Sequence, residues 1–225
     1  MSNNLTELAN KYKSDKGTEY GSKHGFTLIY EKYFNKLKND YINILEIGIN
    51  DGSSLKMWYE YFINAKILGL DINNKSSFNN ERIKCNVLDQ SKKEQLYQFA
   101  NKNKILFDII IDDGSHHISD QQLTLGFLFP MLKPGGIYIV EDLHTSLCNP
   151  GTDVYGRPME NNTDGSNTTL NLLKTKPFKS IFLDKEQSLY IENNIKDINI
   201  YESENKNVPL DYKFKSITSI IIKNE

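Results

Sequence analysis

The sequence predicts an α/β fold built on a mostly parallel, seven-stranded sheet, with helices on both faces and an antiparallel hairpin at the C-terminal end. Short runs rich in Ile, Leu and Val alternate with segments of helical periodicity along most of the chain. Two of these runs end in paired acidic residues, and another leads into a glycine-containing turn. The chain has 225 residues, and we expect residues 1–225 to form a single domain.

Strands and helices alternate in a regular order after two N-terminal helices. Helical periodicity predicts helices at 5–13, 24–38, 53–62, 91–101, 117–131 and 170–174. Apolar runs predict strands at 42–47, 66–71, 82–88, 105–111 and 137–142, with a turn at 133–136. Further strand-like runs at 180–183, 189–191, 198–201 and 214–222 fit the terminal hairpin. Residues 1–40 are expected to form a helical cap.

The bulk composition excludes several function classes. A formal net charge of −2 gives no electrostatic reason to expect nucleic acid or an anionic membrane as a partner. Cys85 and Cys148 have neither metal-binding spacing nor a disulfide framework, which fits a reducing cytoplasm. The N-terminus lacks the features of a signal peptide, and no apolar run approaches the ~20 residues of a membrane span. We therefore expect a cytoplasmic protein.

Two acidic clusters follow the fourth and fifth predicted strands. Asp112 and Asp113 end the first of these strands, and His116 follows three residues later. Glu141 and Asp142 end the next strand. Ligands of an open α/β sheet bind in the crevice beyond the carboxyl ends of its strands, so these side chains are expected to meet there. Because so many like charges favour a bound cation or cationic ligand, the pattern indicates an enzyme.

A glycine-containing turn joins the first strand to the next helix. Gly48 and Gly52 permit a tight turn and a close backbone approach to a ligand, although plain turn chemistry is an alternative interpretation. Asn50 stands where the dinucleotide-binding fingerprint would require glycine. Asp71, at the end of the second strand, is placed to accept hydrogen bonds from ribose hydroxyls.

The motif series resembles that of the class I S-adenosylmethionine-dependent methyltransferases. The residues that match it are Glu46, Gly48, Gly52, Asp71, Asp89, Gln90 and Asp112. More narrowly, several stretches resemble the metal-dependent sugar O-methyltransferases that methylate macrolide-type deoxysugars. These stretches are 14–17, 24–27, 54–58, 111–116, 128–130 and 141–146. The chain departs from common methyltransferases at Asn50, where a glycine is usual.

The resemblance implies a Rossmann-like methyltransferase fold, with S-adenosylmethionine and Mg²⁺ as cofactors. The implied reaction methylates a hydroxyl of a sugar or sugar-containing metabolite, in antibiotic or cell-surface glycan biosynthesis. Asp113, Glu141 and Asp142 are implied Mg²⁺ ligands, and His116 is the implied general base. The implied cofactor contacts are Lys16, Glu46, Gly48, Asn50, Gly52, Ser53, Asp71, Asp89, Gln90 and Asp112. A homodimer or homotetramer formed through the N-terminal helices is also implied.

The segment 143–169 is rich in Asn, Thr, Gly and Asp and has few apolar residues. A loop of this length within a compact domain is usually functional, so we predict a substrate lid, with a disordered insertion as the alternative. Candidate substrate contacts are His144, Tyr155 and Arg157, and the polar character of the segment favours a polar acceptor.

Other interpretations of single residues stay open at this stage. Asp113 is also placed to cap the following helix, and the second acidic cluster could simply begin a solvated loop. His117 and His144 compete with His116 for the role of base. Trp58 is expected to pack in the core rather than stack on a ligand. For the whole chain, the competing functions are a metal-dependent hydrolase that uses the same acids and a non-catalytic metabolite-binding module.

Overall fold

The computed structural model describes residues 4–147, 166–203, 205 and 215–225. The strands are β1 (Asn43–Ile47), β2 (Lys66–Asp71), β3 (Ile83–Val87), β4 (Phe107–Asp112), β5 (Leu132–Val140), β6 (Ile195–Glu202) and β7 (Ile217–Lys223). The α-helices are α1 (Leu5–Tyr12), α2 (Thr27–Phe34), α3 (Ser53–Tyr61), α4 (Lys93–Lys102), α5 (Ile118–Leu128), α6 (Thr169–Lys174) and α7 (Lys185–Asn194). Short 3₁₀ helices lie at Asn35–Leu37, Ser76–Phe78, Phe129–Met131 and Leu143–Leu147. Within these ranges, none of the helices has both the length and the hydropathy that a bilayer span requires.

The strands form one mixed sheet in the order β3-β2-β1-β4-β5-β7-β6. The first five pair in parallel, whereas β7 is antiparallel to both β5 and β6. This topology confirms the predicted fold class, including the antiparallel C-terminal hairpin. Because the chain leaves β1 toward β2 on one side and later returns to β4 on the other, a crevice forms at the carboxyl ends of β1 and β4.

Each face of the sheet carries its own apolar core, because successive strand residues point to opposite faces. Ile109 and Ile111 of β4 share one core with Tyr30 of α2 and Trp58 of α3. Ile110, between them, belongs to the core on the other face, which α5 covers. Trp58 is fully buried, as expected for a core residue.

Backbone hydrogen bonds between its own residues hold the connection between α1 and α2 in one conformation. His24 N–H donates to the Asp15 carbonyl (2.8 Å), and Thr27 N–H donates to the Lys16 carbonyl (3.1 Å). The connection passes the carboxyl ends of β4 and β5, where the side chains of Lys16 and His24 contact the acidic clusters. A segment far away in sequence therefore completes the crevice.

Two strand predictions in the C-terminal region are wrong. Residues 189–191 lie within α7, where Asp184 and Gln187 form a capping box that begins the helix. Residues 180–183 form bends rather than a strand. The Ser180 hydroxyl accepts a hydrogen bond from a backbone N–H two residues later, and such local bonds compete with strand pairing.

The turn predicted at 133–136 lies inside β5 as an irregular bulge. Phe107 pairs with Leu132 and Ile109 pairs with Ile137, so β5 has extra residues between these two pairs. The helix predicted to end at residue 131 consists of α5 and a 3₁₀ helix that ends at Met131. The strand β5 begins at Leu132, before the predicted turn rather than after it.

The predicted lid is only partly described. Residues 143–147 form a largely buried 3₁₀ helix, and residue 169 begins α6. Both ends of the segment therefore pack against the domain. Residues 148–165, including Tyr155 and Arg157, lie outside the described residues, so the lid and these two substrate contacts stay predictions.

Candidate active site

A cleft of about 440 Å³ opens at the carboxyl ends of β1, β2, β4 and β5. This volume falls within the ~300–1,000 Å³ of ordinary small-ligand pockets. Eight predicted site residues line it: Gly48, Asn50, Asp71, Asp89, Gln90, Asp113, His116 and Asp142. The cleft thus brings together residues that were predicted to bind a cofactor and residues that were predicted to bind a metal.

Asp71 organises the turn after β1. Its Oδ2 accepts hydrogen bonds from the backbone N–H groups of Ile49 (2.9 Å) and Asn50 (3.2 Å), and its Oδ1 accepts one from Asn73 (2.8 Å). A carboxylate has further acceptor capacity. Asp71 can therefore fix the turn and still accept hydrogen bonds from a ligand in the cleft.

Gly48 lies where the turn after β1 touches the turn after β4. Its φ is +84°, and a Cβ at this position would lie 2.0 Å from the carbonyl oxygen of Asp113. Any larger residue would have to push the two turns apart. This contact sets the separation between the predicted cofactor side and the predicted metal side of the cleft.

We expect Gly48→Ala to lower the free energy of unfolding by at least ~3 kcal/mol, because the added methyl collides with backbone rather than with a flexible side chain. Gly135→Ala is the matched control, since Gly135 has φ +71° but no atom within 4 Å of an added Cβ. Left-handed strain alone should cost the control about 1–2 kcal/mol. Thermal unfolding of both variants measures the difference, and equal losses of Tm would contradict the close approach at Gly48.

Gln90 and Asp112 hold the turn after β4 in place through hydrogen bonds. Gln90 Nε2 donates to Asp112 Oδ1 (3.2 Å) and to Thr124 Oγ1 (3.1 Å), and its Oε1 accepts from the Ser115 N–H (2.7 Å). Asp112 is almost completely buried, and this burial raises its pKa to about 7. Gln90 borders the cleft, whereas Asp112, implied to be a cofactor contact, lies behind the cleft wall.

Asp113, His116 and Asp142 form the candidate metal site, since one ligand atom from each lies within 4.8 Å of the others. His116 Nε2 lies 3.4 Å from Asp142 Oδ2 and 4.0 Å from Asp113 Oδ1. Two carboxylates and an imidazole suit a divalent cation, including Mg²⁺ if water and ligand oxygens complete the shell. Asp142 Oδ1 is also buried with no hydrogen-bond partner among the described residues, as expected of a site that a ligand completes.

Three imidazoles surround Asp142. In addition to His116, His24 Nδ1 and His144 Nδ1 each lie 3.7 Å from Asp142 Oδ1. Burial would raise the pKa of Asp142, but the three imidazoles and the Lys16 ammonium together hold this pKa below its ordinary value. Burial lowers the pKa of His144. Asp142 is therefore an ionised acceptor at the centre of the site.

Three cleft residues other than glycine have a left-handed backbone: Asn50 (φ 47°), His116 (φ 59°) and Asp142 (φ 55°). Such conformations cost roughly 1–3 kcal/mol each and concentrate at functional sites. Asn, Asp and His are among the side chains that tolerate this region best. The strain is consistent with a binding role for this part of the chain.

Lys16 and Glu141 pair with each other, and their implied roles as cofactor contact and metal ligand stay predictions. The Lys16 ammonium pairs with Asp113 and lies 2.9 Å from Glu141 Oε2, and Lys16 borders a cavity of about 200 Å³ beside the turn after β1. Glu141 Oε1 accepts a hydrogen bond from the Tyr30 hydroxyl (2.9 Å). Both Glu141 oxygens therefore meet protein donors, and Glu141 adjoins the set formed by Asp113, His116 and Asp142 through the shared contact of Lys16 with Asp113.

Other implied cofactor contacts lie outside the main cleft. Glu46 is fully buried, accepts a hydrogen bond from Ser54 (2.9 Å), and has a pKa that burial raises to about 7. Its position inside β1 directs the side chain onto a face of the sheet rather than past its edge. Gly52 packs against Phe78, and Ser53 borders a smaller neighbouring cavity of about 200 Å³.

Three residues join the site without having been assigned to it from the sequence. His24 contacts Asp142, Tyr30 donates to Glu141, and Lys75 lines the cleft and donates to the Asn50 carbonyl. Tyr30 has the helical spacing of an ordinary core residue, so no local signal marked it. His24 stands in one of the stretches that carry the family resemblance, which was the only available signal.

No protein-family model matches the chain. Mycinamicin VI 2''-O-methyltransferase of Micromonospora griseorubida is 34% identical over 211 residues, which cover 88% of this chain and 51% of that protein. A second relative is 8-demethyl-8-(2-methoxy-alpha-L-rhamnosyl)-tetracenomycin-C 3'-O-methyltransferase of Streptomyces olivaceus. It is 37% identical over 178 residues, which cover 76% of this chain and 43% of that protein. The chain therefore spans about half the length of the curated relatives it matches.

Among solved structures, the chain is similar to the MycE methyltransferase from the mycinamycin biosynthetic pathway, in complex with Mg, SAH and mycinamycin VI. The TM-score is 0.76 at 29% sequence identity, and the match covers 100% of this chain and 55% of that one. Because the match covers the whole of this chain, it includes the antiparallel C-terminal pair of strands. The chain therefore has the Rossmann-like fold of the class I S-adenosylmethionine-dependent methyltransferases and is a homologue of the macrolide-type and tetracenomycin-type sugar O-methyltransferases.

Proposed function

We propose that this chain acts as a Mg²⁺-dependent O-methyltransferase that transfers a methyl group from S-adenosylmethionine to a hydroxyl of a sugar or sugar-containing metabolite. The pathway would be one of antibiotic or cell-surface glycan biosynthesis. The observation that carries the proposal is that one cleft joins the glycine turn after β1 to the set formed by Asp113, His116 and Asp142. The names of the relatives support a sugar-containing acceptor.

The cofactor would lie against the turn after β1. Gly48 and Asp71 both line the cleft there, and Asp71 would accept hydrogen bonds from the ribose hydroxyls. Asp89 and Gln90 would border the adenine. The methyl donor would then lie toward the turn after β4, because the turn at Gly48 lies against Asp113.

The acceptor hydroxyl would lie beside Asp113 and Asp142, which would hold Mg²⁺ together with Glu141, the third ligand that the resemblance implies. When bound, Mg²⁺ lowers the pKa of a coordinated hydroxyl. His116 would accept the hydroxyl proton, since its Nε2 faces both carboxylates, and Asp142 at 3.4 Å would stabilise the resulting imidazolium. Methyl transfer then depends mainly on holding the oxygen in line with the methyl group.

The acceptor contacts and the oligomeric state are further parts of the proposal. His144 is the described candidate for an acceptor contact, because it borders Asp142 and is mostly buried. Tyr155 and Arg157 stay candidates on sequence alone. A homodimer or homotetramer formed through the N-terminal helices is proposed from the family resemblance, and sedimentation velocity would detect it.

Calorimetric titration of S-adenosylhomocysteine into the purified chain tests the proposal. We expect micromolar binding that persists in EDTA, because the predicted cofactor residues lie on the β1 side of the cleft and the metal ligands lie on the other side. Methyl transfer to a sugar acceptor should, in contrast, require added Mg²⁺. If the cofactor did not bind with or without metal, the proposal would fail and a metal-dependent hydrolase using the same acids would become the better hypothesis.

A further inference from the structure

Lys75 follows β2 and reaches across to the turn after β1. Its ammonium donates a hydrogen bond to the Asn50 carbonyl, and both residues line the cleft. Lys75 is partly buried, whereas its neighbours Asn74 and Ser76 are exposed. The side chain therefore lies along the wall of the cleft rather than extending into solvent. The proposed mechanism gives this lysine no role.

The end of β2 and the loop that follows it hold the backbone of Asn50 on both sides. The Asn50 N–H donates to Asp71 Oδ2 (3.2 Å), and the Asn50 carbonyl accepts from Lys75. Asp71 Oδ2 also accepts from the N–H of Ile49 (2.9 Å). The peptide groups before and after Asn50 are therefore both oriented by hydrogen bonds from the same part of the chain.

Asn50 needs this support because its backbone is left-handed, with a φ of 47°. The left-handed region costs free energy for any residue with a Cβ, and asparagine tolerates it less well than glycine does. Asn50 is also exposed, so burial of its side chain does not hold it in place. The hydrogen bond from Lys75 therefore stabilises the turn against more ordinary backbone conformations.

A separate apolar contact fixes the loop that carries Lys75. Phe78 packs so closely on Gly52 that a Cβ on this glycine would lie 2.5 Å from the ring. The Phe78 N–H donates to the Lys75 carbonyl (3.0 Å), so the two residues belong to one tight turn. Because Gly52 is only two residues from Asn50, this packing keeps the Lys75 backbone beside the carbonyl that its side chain binds.

We propose that Lys75 is a positioning residue for the cofactor, which acts by holding the turn after β1 in its left-handed conformation through the Asn50 carbonyl. This inference rests on the proposed function, in which the cofactor lies against that turn. If the turn relaxes in a fraction of the molecules, the apparent affinity for the cofactor falls in proportion to the fraction that stays competent to bind. Lys75 thus sets cofactor affinity.

Calorimetric titration of S-adenosylhomocysteine in EDTA tests the inference without methyl transfer. We expect Lys75→Met to weaken binding by at least ~10-fold, because a hydrogen bond from a charged donor is lost. Lys75→Arg keeps a cationic donor and should stay within ~3-fold of the unaltered chain. Lys66→Met is the matched control, since Lys66 is exposed at the opposite end of β2, and its affinity should stay within about 2-fold.

The same substitution in an Asn50→Gly background separates positioning from direct contact with the cofactor. Glycine adopts the left-handed conformation freely, so the turn should depend less on Lys75. In this background, Lys75→Met should weaken binding by no more than ~3-fold. An equal loss of ~10-fold or more in both backgrounds would overturn the inference, because Lys75 would then act on the cofactor itself.

Two further measurements keep the test specific. The Mn²⁺ affinity of Lys75→Met, followed by the electron paramagnetic resonance signal of the free ion, should stay within ~3-fold, because Lys75 acts on the cofactor side of the cleft. Lys75→Gln, which is uncharged and one atom shorter, should weaken cofactor binding in the same way if Lys75→Met fails to fold.

Unchanged affinity for S-adenosylhomocysteine in Lys75→Met or Lys75→Gln would overturn the inference and leave the proposed function intact. Failure of the unaltered chain to bind S-adenosylhomocysteine would overturn the proposed function, and the inference with it.

Discussion

Replacing His116 with asparagine is expected to lower kcat for methyl transfer by at least ~100-fold, because a positioned general base typically contributes 10²–10⁴-fold. Asparagine is the informative substitution because His116 has φ 59°, a conformation that asparagine tolerates better than alanine. The variant should therefore retain its fold and its affinity for S-adenosylhomocysteine. Steady-state kinetics at saturating cofactor and Mg²⁺ would measure the loss.

His117→Asn is the control, since it alters the neighbouring imidazole at the N-cap of α5, where asparagine is a favourable residue. Its kcat should stay close to that of the unaltered chain. An unchanged kcat in His116→Asn would remove His116 as the base. A large fall in Mn²⁺ affinity in the same variant would instead make His116 a metal ligand, a role that its distance of 3.4 Å from Asp142 also permits.

The position of the crevice follows from the sequence because parallel strands end at one edge of their sheet. Asp112, the last residue of β4, pairs with Val140, the last residue of β5, so the acids that follow the two strands must be neighbours. The strand period of two also explains which way each acid points. Asp112 faces the α5 side with Gln90, whereas Asp113 and Glu141 face the N-terminal side.

The pairing of Lys16 with Glu141 did not follow from the sequence, because it depends on how distant segments dock. Lys16 and Glu141 are 125 residues apart, and Lys16 lies in a polar turn of the kind that usually exposes its lysines. Only the packing of the α1–α2 connection against β4 and β5 buries it. Local pattern reasoning could therefore find the acids but could not tell that one of them already has a cationic partner.

The errors in the C-terminal region have a local cause. A short apolar run such as residues 189–191 fits a buried strand and a helix equally well when periodicity alone is considered. The signal that separates the two is the capping box of Asp184 and Gln187, which lies outside the run itself. The nearby strand prediction for residues 198–201 is correct, because that run is longer and alternates apolar with polar residues. These residues pair with β7.

Asp142→Asn is expected to lower the affinity for Mn²⁺ by at least ~100-fold, since even the loss of groups that only support metal ligands typically costs 10–100-fold. Asp142 combines a depressed pKa with the central position among His24, His116 and His144. Its carboxylate is thus ionised and oriented before any metal arrives. Asparagine keeps the shape of the side chain and accepts the φ of 55°, so the charge is the main property that changes.

Asp112→Asn is the control: it removes a different carboxylate, at the end of β4, without touching the candidate metal ligands. Asp112 has a pKa of about 7 and lies behind the cleft wall, so its replacement should change Mn²⁺ affinity by no more than ~3-fold. Both variants should bind S-adenosylhomocysteine, which would show that the fold is preserved. Equal Mn²⁺ affinities for Asp142→Asn and the unaltered chain would contradict the assignment of Asp142 as a ligand. The metal would then have to lie elsewhere, and the three imidazoles around Asp142 would only stabilise its charge in the fold.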